Sequence, residues 1–170
     1  MKISSLRTIL HALNNNNIRY LIVGGVAVNI HGYQRMTQDL DLVIQLMPDN
    51  IINALTTLEN IGYRPGIPVT KQDFANPDIR NQWIETKHME VLALISDQHP
   101  ETTLDIFVTE PFNFNTEYQK SDIVQLDQNL DVHIVSIQTL IDMKKSVGRD
   151  RDKDDIKHLT WILEAINEEK

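Results

Sequence analysis

Apolar residues at Ile3, Leu6, Ile9, Leu10 and Leu13 recur at helical spacing, and the run Asn14–Asn17 ends the repeat, which predicts a first helix from Ile3 to about Leu13. The next stretch, "YLIVGG", is short, apolar and β-branched and is stopped by two glycines, the mark of a buried strand that enters a tight turn. Val26 to His31 can form one short helix that ends at Gly32. In "TQDLDLVIQL" the pattern changes to alternation. Strand side chains point to opposite faces in turn, so Asp39 and Asp41 share one face while Leu40, Leu42 and Ile44 share the other. Pro48 and Asp49 open a further helix whose apolar stripe, Ile51, Ile52, Leu55, Leu58 and Ile61, closes at Gly62.

From Tyr63 to Arg80 the Pro, Gly and Asp content predicts a loop with at most one short strand, long enough to face a substrate. "HMEVLALIS" and "TTLDIFVT" read as two strands of a hairpin joined by "DQHPE". Pro111 to Ser121 has helical character only toward its end, and "DIVQL" and "LDVHIV" flank a turn at Asp127–Asn129. Ser136 is placed to cap a helix carrying Ile137, Leu140 and Ile141 and ending at Gly148. A last helix, Asp152 to about Asn167, carries Ile156, Leu159, Ile162, Leu163 and Ile166 on one face. The order predicts an α+β fold: a small mixed β-sheet with flanking helices and two C-terminal helices. Its 170 residues fit a single domain, 1–170, with a core of about 1–135 and C-terminal helices of about 136–168.

Composition narrows the setting. No apolar run approaches the ~20 residues of a membrane span, and the N-terminus lacks the apolar block of a signal peptide, so a cytoplasmic protein with no membrane partner is expected. The absence of cysteine removes disulfide frameworks and thiolate metal sites. A formal net charge of -8 argues against broad nonspecific attraction to nucleic-acid phosphates.

The chemistry concentrates in "GGVAVNIHGYQRMTQDLDL". Gly24 and Gly25 either make a tight turn only, or let a ligand approach the backbone beside a helix start that favours phosphate. Asp39 and Asp41 either decorate a solvated strand face or converge on divalent cations, with their carboxylates about 7 Å apart along the strand by its rise. Asp105, centred in "TLDIFV", supplies a third acid. On a strand beside the first pair it would complete a cluster that needs a cation or a raised pKa. Arg35 and Thr37 flank the turn into the acidic strand and either touch phosphate or cap and pair locally. His31 reads as a packing residue, Trp83 and Trp161 as core or interface, and no histidine pair has zinc-ligand spacing.

Gly-Gly, a short helix, Asp-hydrophobic-Asp and a later Asp on a hydrophobic strand together resemble the nucleotidyltransferase (DNA polymerase β-like) superfamily. The fuller stretch is similar to a bacterial branch that includes AbiEii-type nucleotidyltransferase toxins, and "KKSVGRDRDKDDIKHL" resembles that branch's C-terminal signature. The resemblance implies an enzyme that moves NMP from an NTP to an acceptor hydroxyl. In it Gly24 and Gly25 hold the triphosphate, while Asp39, Asp41 and Asp105 bind Mg²⁺, with Mn²⁺ as a substitute. Asp105 also helps deprotonate the acceptor, and Lys144 neutralises phosphate charge. Arg149, Asp152 and Asp155 shape the site, or form an ion-pair brace between the last helices. A toxin or defence role with an antitoxin partner is that branch's habit. Many toxin-type relatives carry further helical domains where this chain ends, so tRNA, protein and small molecule all stand as acceptors. Two other readings remain at this point: a non-catalytic nucleotide-binding or regulatory module on the same fold, and acids that merely decorate an unrelated α+β fold.

Overall fold

Strand β1 (Tyr20–Val23), buried at all four positions, and β2 (Asp39–Ile44) lie in the middle of a seven-stranded mixed sheet in a computed structural model that describes residues 1–168. The other strands are β3 (Tyr63–Pro65), β4 (Val91–Ser96), β5 (Thr103–Phe107), β6 (Asp122–Asp127) and β7 (Leu130–Ile134), in the spatial order β3-β4-β5-β2-β1-β7-β6. β1 runs antiparallel to β2 and parallel to β7, and β2 runs parallel to β5. β4 and β5 form the expected hairpin, as do β6 and β7. This α+β architecture, with helices against a mixed sheet and two helices at the C-terminus, is the one the hydrophobic pattern predicts.

The core forms where the periodic apolar positions meet. Ile9, Leu10 and Leu13 of α1 (Ile3–Asn15) and Ile51, Ala54, Leu55 and Leu58 of α3 (Pro48–Asn60) are buried with the aliphatic residues of the central strands. Each such leucine or isoleucine contributes roughly 1.5–3 kcal/mol on burial. That stability lets the opposite face of β2 and β5 carry acids. Leu40, Leu42, Leu104 and Ile106 are fully buried, whereas Asp39, Asp41 and Asp105 between them are only partly covered.

Three segments differ from expectation. The predicted loop Tyr63–Arg80 holds β3, then α4 (Lys71–Ala75) and the start of α5 (Pro77–Lys87). Its turn-forming residues are helix starts: Thr70 and Asp73 form a reciprocal capping box, Asn76 caps α5, and Pro77 sits at the first helical position, where a missing N–H costs nothing. The short helix α2 (Gly24–Ile30) begins at the glycines themselves and not at Val26. The last helix, α8 (Asp150–Glu168), starts two residues earlier than Asp152. Helix α6 (Phe114–Lys120) fills the segment before β6, and α7 (Ile137–Val147) is capped by Ser136 and Gly148 as predicted. Trp83 joins the core, while Trp161 is 53% exposed on α8. α7 packs on α8 and touches α2, so the C-terminal pair stands beside the glycine helix. No described helix is long and apolar enough to cross a membrane.

Candidate active site

The parallel register of β2 and β5 sets Asp41 opposite Asp105, and strand alternation turns Asp39 to the same face. One carboxylate oxygen from each of the three lies within 4.8 Å of the others. The glycines make this convergence possible, though by a different route from the one expected. Gly24 has φ +62°, and a Cβ there would stand 1.9 Å from Asp41 Oδ2. A Cβ on Gly25 would stand 2.5 Å from Thr37 Oγ1 and 3.0 Å from Arg35 Nη2. The space over the glycine pair is therefore filled by the chain's own side chains, above all the Asp41 carboxylate, which accepts a hydrogen bond from the Gly25 N–H.

The cluster is electrostatically incomplete. Burial, and then the like charges of Asp39 and Asp105, push the Asp41 carboxyl up to about 6, against the Gly25 N–H and Lys144, which lower it. Burial and Asp39 raise Asp105 as well. Asp105 Oδ1 is buried without any hydrogen-bond partner among the described residues. An acceptor with no donor, inside a group of acids, is what a cation would complete, and three carboxylates form the hard oxygen set that suits Mg²⁺ or Mn²⁺. Thr37 fixes one member by donating from Oγ1 to Asp39 Oδ1 at 2.9 Å.

The cationic residues expected near phosphate behave differently. Lys144, only 7% exposed, pairs with Asp155 Oδ2 at 2.7 Å and Asp152 Oδ1 at 3.3 Å. Arg35 grips the same Asp155 with Nε at 2.8 Å and Nη2 at 3.0 Å. The ion-pair brace exists, and it is built from Lys144 and Arg35. Arg149 lies outside it and reaches Glu90 at 3.4 Å. His31 donates from Nε2 to the Val135 carbonyl at 2.8 Å and packs, as expected.

Between the acidic strands and the C-terminal helices lies a cleft of about 270 Å³. Gly24, Gly25, Arg35, Asp39, Asp41, Asp105, Lys144, Arg149 and Asp152 all line it; Thr37 and Asp155 support it from behind. Sequence reasoning missed Arg151, Glu90 and the apolar wall that includes Phe107 and Met143. It also missed Asn29, whose side chain binds both the N–H and the carbonyl of Arg35, at 2.8 and 2.9 Å, and so sets the loop before β2. A second arginine in "GRDRD" and a polar residue inside an otherwise apolar short helix were the available signals.

Comparison with known proteins agrees with this fold. The family model described as "Nucleotidyltransferase of unknown function (DUF6036)" matches residues 2–167. A search of curated proteins gives no significant match. Among solved structures, the lincosamide antibiotic adenylyltransferase LnuA, lincomycin-bound, is similar with a TM-score of 0.63 and 16% identity, covering 95% of this chain and 98% of that one. ANT(2")-Ia in complex with adenylyl-2"-tobramycin is similar at TM-score 0.60 and 13% identity, covering 96% of this chain and 90% of that one. A nucleotidyltransferase-like protein of Paracoccidioides brasiliensis follows at TM-score 0.54 and 17% identity, covering 95% and 75% of the two chains. At these identities the likeness speaks for the fold.

Proposed function

The chain belongs to this nucleotidyltransferase family, and on that premise we propose that it works as one unit, a divalent-metal-dependent enzyme that moves NMP from an NTP to the hydroxyl of a small molecule. The observation that carries the proposal is the trio Asp39, Asp41 and Asp105 on one cleft face, with Asp105 Oδ1 buried and unpartnered. A pure binding module has no chemical reason to keep three mutually repelling carboxylates. Mg²⁺ or Mn²⁺ held by the trio would neutralise charge on the phosphoryl oxygens. The acceptor oxygen forms a bond to the α-phosphorus, the bond from that phosphorus to the bridging oxygen breaks, and pyrophosphate leaves with its electron pair. The acceptor proton passes to the Asp105 carboxylate, which lines the cleft. Lys144 and Arg35, paired with Asp152 and Asp155, hold the cleft wall in a fixed geometry; positioning of this kind is a main tool of nucleotidyl transfer.

The small-molecule acceptor is supported by the modest cleft, by the net charge of -8, which disfavours polyanionic tRNA, and by the lincomycin and tobramycin named for the two similar structures. The toxin role and antitoxin partner implied by the resemblance enter no step. The test offers each α-³²P-labelled NTP, with Mg²⁺ or Mn²⁺, to the protein together with a panel of hydroxylated small molecules, a mixed tRNA pool and cell extract. Label should pass to a small molecule, and Asp41→Ala should reduce it to background. Label on tRNA or protein would overturn the acceptor class. Nucleotide binding without transfer to anything would favour the non-catalytic module.

A further inference from the structure

Four cationic residues line the cleft, and three of them are already engaged: Arg35 with Asp155, Lys144 with Asp152 and Asp155, and Arg149 with Glu90. The fourth, Arg151, makes no ion pair or hydrogen bond from its side chain among the described residues. Its position on α8 explains why that is informative. The acids one turn ahead, which would ordinarily pair with an arginine at i+3 or i+4, are Asp154 and Asp155. Asp155 is taken by Arg35 and Lys144, and Asp154 accepts from the Tyr33 hydroxyl. The adjacent Asp150 is held by Lys153 at 2.7 Å. The local acids are thus committed elsewhere, and Arg151 is left exposed at the cleft with its full set of donors free, across from three carboxylates that require cations.

We propose that Arg151 is the polyphosphate-binding residue of the cleft, its planar guanidinium gripping the non-transferred phosphates of the NTP, which leave as pyrophosphate. This rests on the nucleotidyltransferase reading above. Lys144 and Arg35 are poor candidates for that grip, and Arg149 is shared with Glu90 across the exposed rim. Freeing Lys144 or Arg35 would take one of its two cations from a buried Asp155, whereas Arg151 gives up only water. A guanidinium also matches phosphate oxygens in a two-point fashion that an ammonium cannot.

The test measures binding to the full chain by calorimetry with Mg²⁺, using inorganic tripolyphosphate and each of the four NTPs as probes without acceptor. Arg151→Ala should weaken both tripolyphosphate and the preferred NTP about tenfold or more, the loss expected for a hydrogen bond to a charged group, and Arg151→Lys should recover part of it. Lys145→Ala, an exposed cation outside the cleft, should bind like wild type and so controls for general charge. Because the Arg151 side chain is exposed and makes no ion pair or hydrogen bond among the described residues, its variants should melt like wild type, and Mn²⁺ affinity should not change. Wild-type affinity in Arg151→Ala, or an equal loss in Lys145→Ala, overturns this inference alone. A loss confined to NTPs with tripolyphosphate unaffected also overturns it, since the contact would then be to sugar or base. Failure of wild type to bind any probe overturns the nucleotidyltransferase reading, and this inference with it.

Discussion

Two charged clusters stand on either side of one cleft, and they solve the problem of burial in opposite ways. The brace of Arg35, Lys144, Asp152 and Asp155 is closed in charge: two cations meet two carboxylates within 2.7 to 3.3 Å, and Asp155, 1% exposed, faces both cations at once, with Arg35 Nε in ion-pair contact but outside hydrogen-bonding geometry. The trio of Asp39, Asp41 and Asp105 is open: three acids crowd together, two have raised pKa values, and one buried oxygen has no partner. The closed cluster is scaffold that holds α7 and α8 against the loop before β2. The open cluster holds like charges without a counter-charge of its own, and on the proposed function a divalent cation completes it. The same residue type therefore has opposite thermodynamic signs a short distance apart, which makes the contrast easy to attack.

The largest effect should come from breaking the closed cluster. Asp155→Asn strands Lys144 and Arg35 and should cost about 3 kcal/mol or more in urea unfolding. Removing the room that the glycines make comes next. In Gly24→Ala the new Cβ collides with Asp41 Oδ2 at 1.9 Å and takes up φ +62°, so about 1–3 kcal/mol should be lost and divalent-metal stabilisation in thermal melts should vanish. The open cluster should respond the other way. At pH 7.5 without metal, Asp41→Asn should stabilise the protein by about 1–3 kcal/mol, because it removes a carboxylate that the fold holds ionised at a cost.

The pH dependence follows with a definite sign. Folding raises the Asp41 pKa from its unfolded value near 3.8 to about 6, so the folded state binds more protons between those values. This group's contribution to metal-free stability is fully present below pH 3.8 and falls as pH rises toward 6, by linkage, and Asp41→Asn should flatten that slope. Divalent-metal affinity should rise over the same range as the competing proton leaves. The smallest effect is expected from Thr37→Val, which removes the 2.9 Å bond to Asp39. It should lower Mn²⁺ affinity about tenfold with little change in melting temperature, and Thr37→Ser should restore it.

The open cluster was legible in the sequence because it depends on local rules. Period-two alternation places Asp39 and Asp41 together, and a lone acid in an apolar strand flags Asp105. The closed cluster was only half legible. Asp152 and Asp155 can be suspected from their helical spacing, but Arg35 lies 120 positions from Asp155, and nothing in either segment announces the pairing. It arises from the packing of α7 and α8 beside α2, a tertiary event. Gly24–Gly25 was recognised as a close-approach site, yet which group approaches is decided by the antiparallel register of β1 with β2, where Val23 sits opposite Asp41. Helices α4 and α5 were lost for a simpler reason: their capping residues, Thr70, Asp73, Asn76 and Pro77, are also turn formers, and α5 buries too few residues, Arg80 and Trp83, to show a stripe.

The central claim, that the acidic trio is an incomplete site finished by a divalent cation, is tested most directly by titrating Mn²⁺ into wild type, Asp41→Asn and Asp105→Asn at pH 7.5 and measuring bound metal and melting temperature together. Saturable binding that raises the wild-type melting temperature, weakened at least about tenfold in both variants even though the metal-free variants melt higher, is the predicted result. Equal binding in all three proteins, or variants that melt lower than metal-free wild type, would contradict it.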